Sequence, residues 1–578
     1  MPTVRRIKSV KWDEDDLNDY YSDDYSDSDD EDYENLKIHT KPKSLPKKNL
    51  VQRGESKPAP HETKQVSNKT NTLNFSNCKT QANKNINTQD STPNRYPLNV
   101  VVLGAVDAGK STLLGHFLTL TNCVDKKLKN VKHLSWILDQ GDDERDRGIT
   151  IDPTKCQFNL DLKNIKNLNN HNSEHQTKIE TPIYDSIKVN VIDTPGHHDL
   201  IQNLVMGAVF ANSAVIIVDS NDVLKSDFFG VYFSEHMLLL YLLGIRYIII
   251  CVNKIDRFEY SESMYSKVVH IIRKLVGVYE NSVKLIFLPV SGLRGDNLVD
   301  KSSNLSWYQG PTLIESLQVI SLDLIKRPVV VYDKIICHIF DLWESGKTVS
   351  CSCFVEGNKI KVPVDMNTLP NSVQVKCVSL EYQVLNLVTP SSASNDTNST
   401  NSNTCYVNDF VDCLEMKGTE ISNLMFSKIM IDPHTYSKIK NNTSSIVIHN
   451  TFIGLIYLNG MSKVKLTIGQ NVELFVGYSK QSAFIRAIQV IDNFNTLGSK
   501  KIYSLSPGQF AFLEFGSQSP ILVEPISRNS KFIQNMIAQF TTKPASLSED
   551  DVEHVGILSR LLLRSSGSFV AGGVVVNR

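Results

Sequence analysis

The string Gly104-Ala105-Val106-Asp107-Ala108-Gly109-Lys110-Ser111 fits G-x-x-x-x-G-K-[ST] in full. It lies between the apolar run 98–103, which reads as a buried strand, and the stretch 111–118, which reads as a helix. Strand, glycine loop and helix form the context in which such a loop turns its backbone N–H groups onto a phosphate. Gly104 and Gly109 free the backbone for that turn. Lys110 neutralises β- and γ-phosphate oxygens, and the Ser111 hydroxyl suits Mg2+. Asp107, Ala108 and Thr112 complete the cradle. A glycine turn with an incidental lysine would need none of these flanks.

Four further segments follow in order: Arg147-Gly148-Ile149-Thr150, Asp193-Thr194-Pro195-Gly196-His197, Asn253-Lys254-Ile255-Asp256 and Ser291-Gly292-Leu293. Mg2+ wants octahedral oxygen and keeps several waters. Beside Ser111, Thr150 is the natural second ligand, and Asp193, ending the strand 189–192, would hold a metal-bound water. Gly196 can offer its N–H to a γ-phosphate, and hydrolysis would release that loop. His197 is the candidate to orient the attacking water, while its neighbour His198 is expected to be structural or exposed. Asp256 can accept from guanine N1–H and the exocyclic amine, which adenine does not present. Asn253 supports the base edge, the Lys254 stem can lie along the base face, and the N–H groups of Ser291, Gly292 and Leu293 can meet guanine O6. Together the segments describe a GTP site.

The strings G-A-V-D-A-G-K-S-T, 139–150 (D-Q-G-D-D-E-R-D-R-G-I-T), D-T-P-G-H-H-D and 307–313 (W-Y-Q-G-P-T-L) resemble the translational GTPases of the elongation factor Tu and elongation factor one alpha group. The resemblance runs from about Asn99 to Arg578. The runs 559–564 and 567–574 are similar to the closing strands of that group's third domain. It implies an α/β P-loop GTPase domain followed by two all-β barrels, with GTP or GDP and Mg2+ bound. It implies Val106 and Ile149 as the apolar gate beside the water, and Asp107 as a support of the phosphate loop and a monovalent cation. Within the group, 134–139 (L-S-W-I-L-D) and the amino-terminal V-K-W-D-E-D-D with its acidic run resemble the Hbs-type ribosome-rescue GTPases, partners of Pelota. Ile149 stands where the termination branch usually has lysine. The implied role is ribosome-stimulated GTP hydrolysis that delivers a Pelota-like protein to stalled ribosomes in mRNA surveillance, with GTP ordering both switches and fixing the domain arrangement. A termination GTPase carrying a class-one release factor, a carrier of aminoacyl-tRNA, and a GTP-binding scaffold with negligible turnover remain as alternatives. The scaffold draws on two departures from the group: Ala105 replaces the usual histidine, and the stretch between Cys123 and Trp136 is short. A third departure, Cys353 to Lys359 in place of a G-x-V-x-x-G-D turn, sits in the first barrel.

The chain has 578 residues, 61 Lys and Arg against 62 Asp and Glu, room for three or four domains without a global charge bias. Residues 13–34 are acidic without Lys or Arg, and 37–95 are lysine-rich and poor in large apolar groups. Neither can bury a core, which predicts a disordered extension over 1–95. Tyr20, Tyr21, Tyr25 and Tyr33 tilt the acidic run from a solvating tail towards docking. The lysine-rich stretch reads as a tether able to graze ribosomal RNA. The ten cysteines show no paired C-x-x-C spacing; Cys351 and Cys353 read as strand packing in a reducing cytoplasm. No signal peptide opens the chain. Met237 to Val252 contains Gly244 and Arg246, and reads as a core helix and strand rather than a membrane span. A monomer is expected.

Strand and helix patterns alternate from 97 to 318, which predicts a covered parallel sheet. The asparagine-rich 161–183 reads as a surface hairpin loop. Beyond Arg327-Pro328 the pattern changes to short β runs at 329–332, 334–340 and 373–378, with a Ser/Asn/Thr tract at 391–404 reading as a barrel loop. The expected domains are 96–320, 325–438 and 439–578 after the extension.

Overall fold

The computed structural model describes residues 95–121, 154–161, 184, 186–196, 201–225, 229–280, 282–326, 333–346, 348–386, 398–401, 404–405, 407–460, 462–490, 500–541, 555–565 and 567–577. Ile149, Thr150, His197, His198, the run 329–332, nearly all of 161–183 and all but Arg95 of the extension lie outside these residues.

The first domain alternates strand and helix: β1 (Arg95–Leu103), α1 (Lys110–Leu120), β2 (Thr154–Asp161), β3 (Ser186–Asp193), α2 (Ile201–Ala208), β4 (Ser213–Asp219), α3 (Ser220–Lys225), α4 (Phe229–Leu242), β5 (Tyr247–Asn253), α5 (Glu262–Val276), β6 (Lys284–Pro289) and α6 (Leu313–Ile325). The sheet order is β2-β3-β1-β4-β5-β6, parallel except for β2, which runs antiparallel to β3. β3, β4 and β5 are buried at every position. That is why they read as unbroken apolar runs: a parallel sheet is covered on both faces. β2 and β3 pair antiparallel from Thr154 opposite Asp193 to Asp161 opposite Ser186, and the 161–183 loop expected between them lies almost wholly outside the described residues. α6 is started by a capping box in which Thr312 and Glu315 exchange hydrogen bonds.

Two closed barrels follow. The first contains β7 (Ile336–Ser345), β8 (Thr348–Glu356), β9 (Ile360–Lys361), β10 (Val364–Leu369), β11 (Gln374–Asn386), β12 (Asn398–Asn401), β13 (Thr404–Cys405), β14 (Asp409–Lys417), a turn of helix α7 (Ile421–Leu424), β15 (Ile429–Ile431) and α8 (Pro433–Lys440). The ring β10-β15-β7-β8-β14-β11 closes through β10–β11. The second contains β16 (Val447–Leu458), β17 (Leu466–Thr467), β18 (Asn471–Val476), β19 (Ser479–Val490), β20 (Lys500–Lys501), β21 (Ser504–Leu505), β22 (Phe510–Val523), α9 (Lys531–Thr541), β23 (Arg560–Ser565) and β24 (Ser568–Val576). Its ring β18-β23-β24-β16-β22-β19 closes through β18–β19. Closure removes the exposed strand edges that such short, apolar strands would otherwise present. The Ser/Asn/Thr tract is not all loop: Asn398–Asn401 pairs antiparallel with Glu381–Val384. The backbone ladder supplies that pairing whatever the side chains, so composition alone misses it.

Cys337, Cys351, Cys353, Cys377 and Cys405 are fully buried in the first barrel. Burial pushes the Cys377 thiol up, so these groups behave as small apolar packing residues. Among the described residues no group of His, Cys, Asp and Glu could hold a metal ion on its own.

The three domains share apolar cores. Phe210, just before β4, stacks edge-on or tilted against Phe340, Phe354 and Phe410 of the first barrel and Tyr478 of the second, with ring centroids 4.8, 4.9, 6.0 and 5.6 Å away. From Phe233 to Leu242 α4 is buried at every position but Glu235, one side packing in the first domain and the other on β23 and β24, while Val231 in its first turn is exposed. Truncating Phe210 to Ala is expected to cost about 3–5 kcal/mol in chemical denaturation, a cavity at a junction that cannot collapse.

Candidate functional site

The loop between β1 and α1 takes the shape that its residues allow. Asp107 and Gly109 both adopt positive φ, 61° and 93°, and Gly109 is the residue immediately before α1. A side chain at Gly109 would stand 2.6 Å from Asn253 Nδ2, so the close approach needs glycine as much as the torsion does. Ala108 N donates to Ala105 O at 3.3 Å, closing the turn. Lys110 is buried against the loop and its ammonium donates to Ala105 O at 2.9 Å.

β3 brings the next group. The Ser111 hydroxyl donates to Asp193 Oδ2 at 3.2 Å, so two of the three side chains expected at the metal converge. Hard oxygen donors beside a phosphate loop fit Mg2+, which takes its remaining ligands from phosphate and water. Thr194 is fully buried and its hydroxyl donates to Val102 O at 2.6 Å, tying the loop after β3 to β1. Gly196 lies against Lys110: a Cβ there would stand 3.0 Å from the Ala105 carbonyl carbon and collide with the Lys110 ammonium. Thr150, Ile149 and His197 lie outside the described residues; Val106 is partly exposed beside the loop and Thr112 sits in the first turn of α1.

The third group closes the far side. Asn253, ending β5, is 3 % exposed and bridges two loops: its Nδ2 donates to Ala108 O at 2.8 Å and its Oδ1 accepts from Gly292 N at 2.9 Å. Lys254 sits at φ 61°, donates to Asp107 O at 2.6 Å and pairs with Asp219 at 2.6 Å. Asp256 follows in a 3-10 turn, partly exposed, with Arg294 Nε 3.9 Å from its carboxylate. Ser291 is buried, its hydroxyl accepting from Arg294 N at 3.3 Å, while Leu293 is 69 % exposed. Gly292 packs so tightly on α1 that a Cβ would come within 2.8 Å of Leu113 Cβ.

Several participants were missed in the sequence. Asp219 ends β4 as Asp193 ends β3 and Asn253 ends β5, so strand-end position could have found it. His116 lies on α1 and its Nδ1 is 2.8 Å from Gly292 O. Tyr232 and His236 on α4 lie in an apolar helix with no motif around them. Their rings are 4.0 Å apart, His236 Nδ1 is 2.8 Å from Tyr232 O, and Tyr232 Oη is 3.5 Å from Gly196 O. His236 Nε2 is buried without a partner among the described residues. Burial lowers the His236 pKa to about 4, opposed by the Tyr232 carbonyl and helped by the Lys110 charge. An unfolded chain therefore binds the extra proton first as pH falls from 6.5 to about 4, and stability present above pH 6.5 is lost across that window. His236→Phe should flatten this loss by about 3 kcal/mol, read from urea midpoints at pH 7 and pH 4.5.

The geometry joins the glycine loop of 104–109, the Ser111–Asp193 oxygen pair and the two loops at Asn253–Asp256 and Ser291–Leu293 at the carboxyl ends of parallel strands, the ordinary ligand position of such sheets. Residues 96–340 match the model of the elongation factor Tu GTP binding domain. That stretch is similar to the GTP-binding domain of elongation factor Tu. The chain is 32 % identical over 319 residues to elongation factor 1-alpha of Aeropyrum pernix, covering 51 % of this chain and 65 % of that one. It is 33 % identical over 309 residues to elongation factor 1-alpha of Plasmodium falciparum, covering 49 % and 61 %. It thus spans somewhat less than two thirds of these relatives. Among solved structures, the S. cerevisiae Ski7 GTPase-like domain bound to GTP superposes with a TM-score of 0.58 at 16 % identity, over 84 % of this chain and 98 % of that one. Elongation factor SelB of Methanococcus maripaludis with a GTP analogue gives 0.54 at 15 %, over 84 % and 80 %. At such identities the likeness concerns the fold: a GTPase domain and two barrels, as the sequence resemblance implied.

Proposed function

We propose that this chain is a translational GTPase of the cytoplasm that binds and hydrolyses GTP and delivers a Pelota-like protein to stalled ribosomes. The observation that carries the nucleotide reading is Asn253, whose amide ties the phosphate loop to the Ser291–Leu293 loop within one side chain. That bridge sets the spacing between a phosphate cradle and a base reader. Gly104, Asp107, Ala108, Gly109, Lys110, Ser111 and Thr112 receive the phosphates. Lys254, Asp256, Ser291, Gly292 and Leu293 receive guanine. Ser111, Thr150 and Asp193 would hold Mg2+, which supplies charge neutralisation at the phosphates. Gly196 reports the γ-phosphate, and His197 orients water past Val106 and Ile149. The assignment of domains follows as 96–320, 325–438 and 439–578, behind an extension over 1–95.

The translational role is supported by the elongation-factor relatives and by the fold shared with Ski7 and SelB. The Pelota-linked branch draws on 134–139 and on the acidic, tyrosine-bearing amino terminus. The test is affinity purification from cytosol with the full-length chain loaded with a non-hydrolysable GTP analogue. A Pelota-like protein with ribosomal subunits supports the reading. A class-one release factor or aminoacyl-tRNA moves the chain to a sister branch. Partners without turnover on ribosomes favour the scaffold.

A further inference from the structure

The run 307–313 lies outside the strings that form the nucleotide site, yet its first residue reaches them. Asp256 stands in the 3-10 turn Ile255–Phe258, and the chain leaves that turn through Glu259 and Tyr260 at φ 51° and 61°. Two successive residues with side chains in the left-handed region persist only where their surroundings fix them. Two bonds within the turn contribute: Glu259 N donates to Asp256 O at 3.3 Å, and Tyr260 N to Ile255 O at 3.1 Å. A third comes from far along the chain. Trp307 Nε1 donates to Tyr260 O at 2.8 Å.

The Tyr260 side chain carries the link onward. Its hydroxyl donates to Asp296 Oδ2 at 3.0 Å. Asp296 forms an antiparallel bridge with Ser291, and Gly295 N donates to Ser291 O at 2.8 Å, so this carboxylate belongs to the Ser291 loop. Its other oxygen accepts from the Ser302 hydroxyl at 2.6 Å and from Asn304 Nδ2 at 3.3 Å, which holds it in place. Trp307 is braced in turn. Its ring packs on Tyr265 of α5 and on Tyr308, with centroids 5.3 and 6.1 Å away. Tyr308 Oη lies 2.8 Å from Phe287 O and 3.2 Å from Pro311 O, and a Cβ at Gly310 would collide with that phenol. Asn253 already ties the Ser291 loop to the phosphate loop. The chain Trp307–Tyr260–Asp296 ties the Asp256 turn to the same Ser291 loop.

We propose that Trp307, Tyr260 and Asp296 are positioning residues for base recognition: they hold the Asp256 carboxylate square to the guanine edge, so that both its oxygens are engaged at once. This rests on the GTP reading above. A carboxylate free to pivot keeps its bond to N1–H and loses the one to the exocyclic amine. Hypoxanthine lacks that amine and has nothing there to lose. The brace therefore sets the preference for guanine over hypoxanthine, beyond any share it has in stability.

The test titrates the full-length chain with GDP and with IDP by calorimetry, as wild type, Tyr260→Phe and Trp307→Phe. Tyr260→Phe removes one hydroxyl and keeps the ring. Trp307→Phe removes the indole donor and keeps an aromatic ring beside Tyr265. Each variant is expected to weaken GDP about tenfold and IDP about twofold. Equal losses for the two nucleotides, the result of a purely structural role, overturn the proposal, and so does the absence of any loss. Hydrogen exchange of the EDTA-treated chain is followed alongside in the segments 255–261 and 291–297. The brace predicts that Tyr260→Phe speeds exchange about tenfold in both. Quickening confined to 255–261 overturns it. Should the wild-type chain bind neither nucleotide, or bind both alike, the GTP reading is struck, and exchange alone decides whether the two loops are held together.

Discussion

Asp256→Asn should lose GTP affinity by on the order of a hundredfold or more and gain xanthine nucleotides in exchange, because a carboxylate that accepts two hydrogen bonds contributes about 3–6 kcal/mol. An amide presents one acceptor and one donor towards the same edge. Its oxygen still accepts from N1–H, but its NH2 opposes the exocyclic amine of guanine and matches the carbonyl that xanthine carries at that position. The geometry favours a clean exchange. Asp256 sits in a turn whose backbone is fixed by Ile255 N to Val290 O at 3.4 Å and by Lys254 at positive φ, so an isosteric amide disturbs little else. Competition between GTP and XTP for a fluorescent GDP analogue reads the outcome. Undiminished GTP preference would remove Asp256 from the base reader and leave the phosphate cradle untouched.

His197→Ala is expected to bind GTP as wild type does while its ribosome-stimulated hydrolysis slows by about a hundredfold or more. Phosphoryl transfer asks the protein chiefly to place a water and spread charge. One imidazole following Gly196 can do the first, and Lys110 with its loop the second. Single-turnover hydrolysis with and without ribosomes separates the step from nucleotide release. A rate equal to wild type would reassign the water to another group. The Tyr232–His236 pair would be the next to examine, since Tyr232 reaches the Gly196 carbonyl.

Much of the candidate site was legible because its residues stand in short contiguous strings at strand ends. Gly109, Lys110 and Ser111 need only the turn between β1 and α1, and Asn253 needs only the end of β5. The same logic marked the strands of the first domain, which read as apolar runs because they are buried. What the sequence hid is long-range. Nothing around Asn408 or Asp409 announces that a barrel turn will meet Lys188, 221 positions away. Arg294 beside Asp256 depends on how the Ser291 loop folds back. Tyr232 and His236 look like ordinary members of an apolar helix until α4 is laid against the loop after β3. The pairing of Asn398–Asn401 escaped for a different reason: edge strands are held by backbone groups, so composition carries little signal there.

The burial of α4 from Phe233 onwards bears on the order in which the chain can be built. One side is covered by β24 and β23, with Gly572 set against Leu242, strands that leave the ribosome some three hundred residues after the helix itself. The nucleotide-binding half therefore emerges with part of its own interior still facing water, and waits for distant sequence to seal it. Contacts so far apart along the chain form late and slowly. A nascent chain paused before β23 would hold a phosphate loop and an open greasy flank at once, the kind of species that holdase chaperones attend.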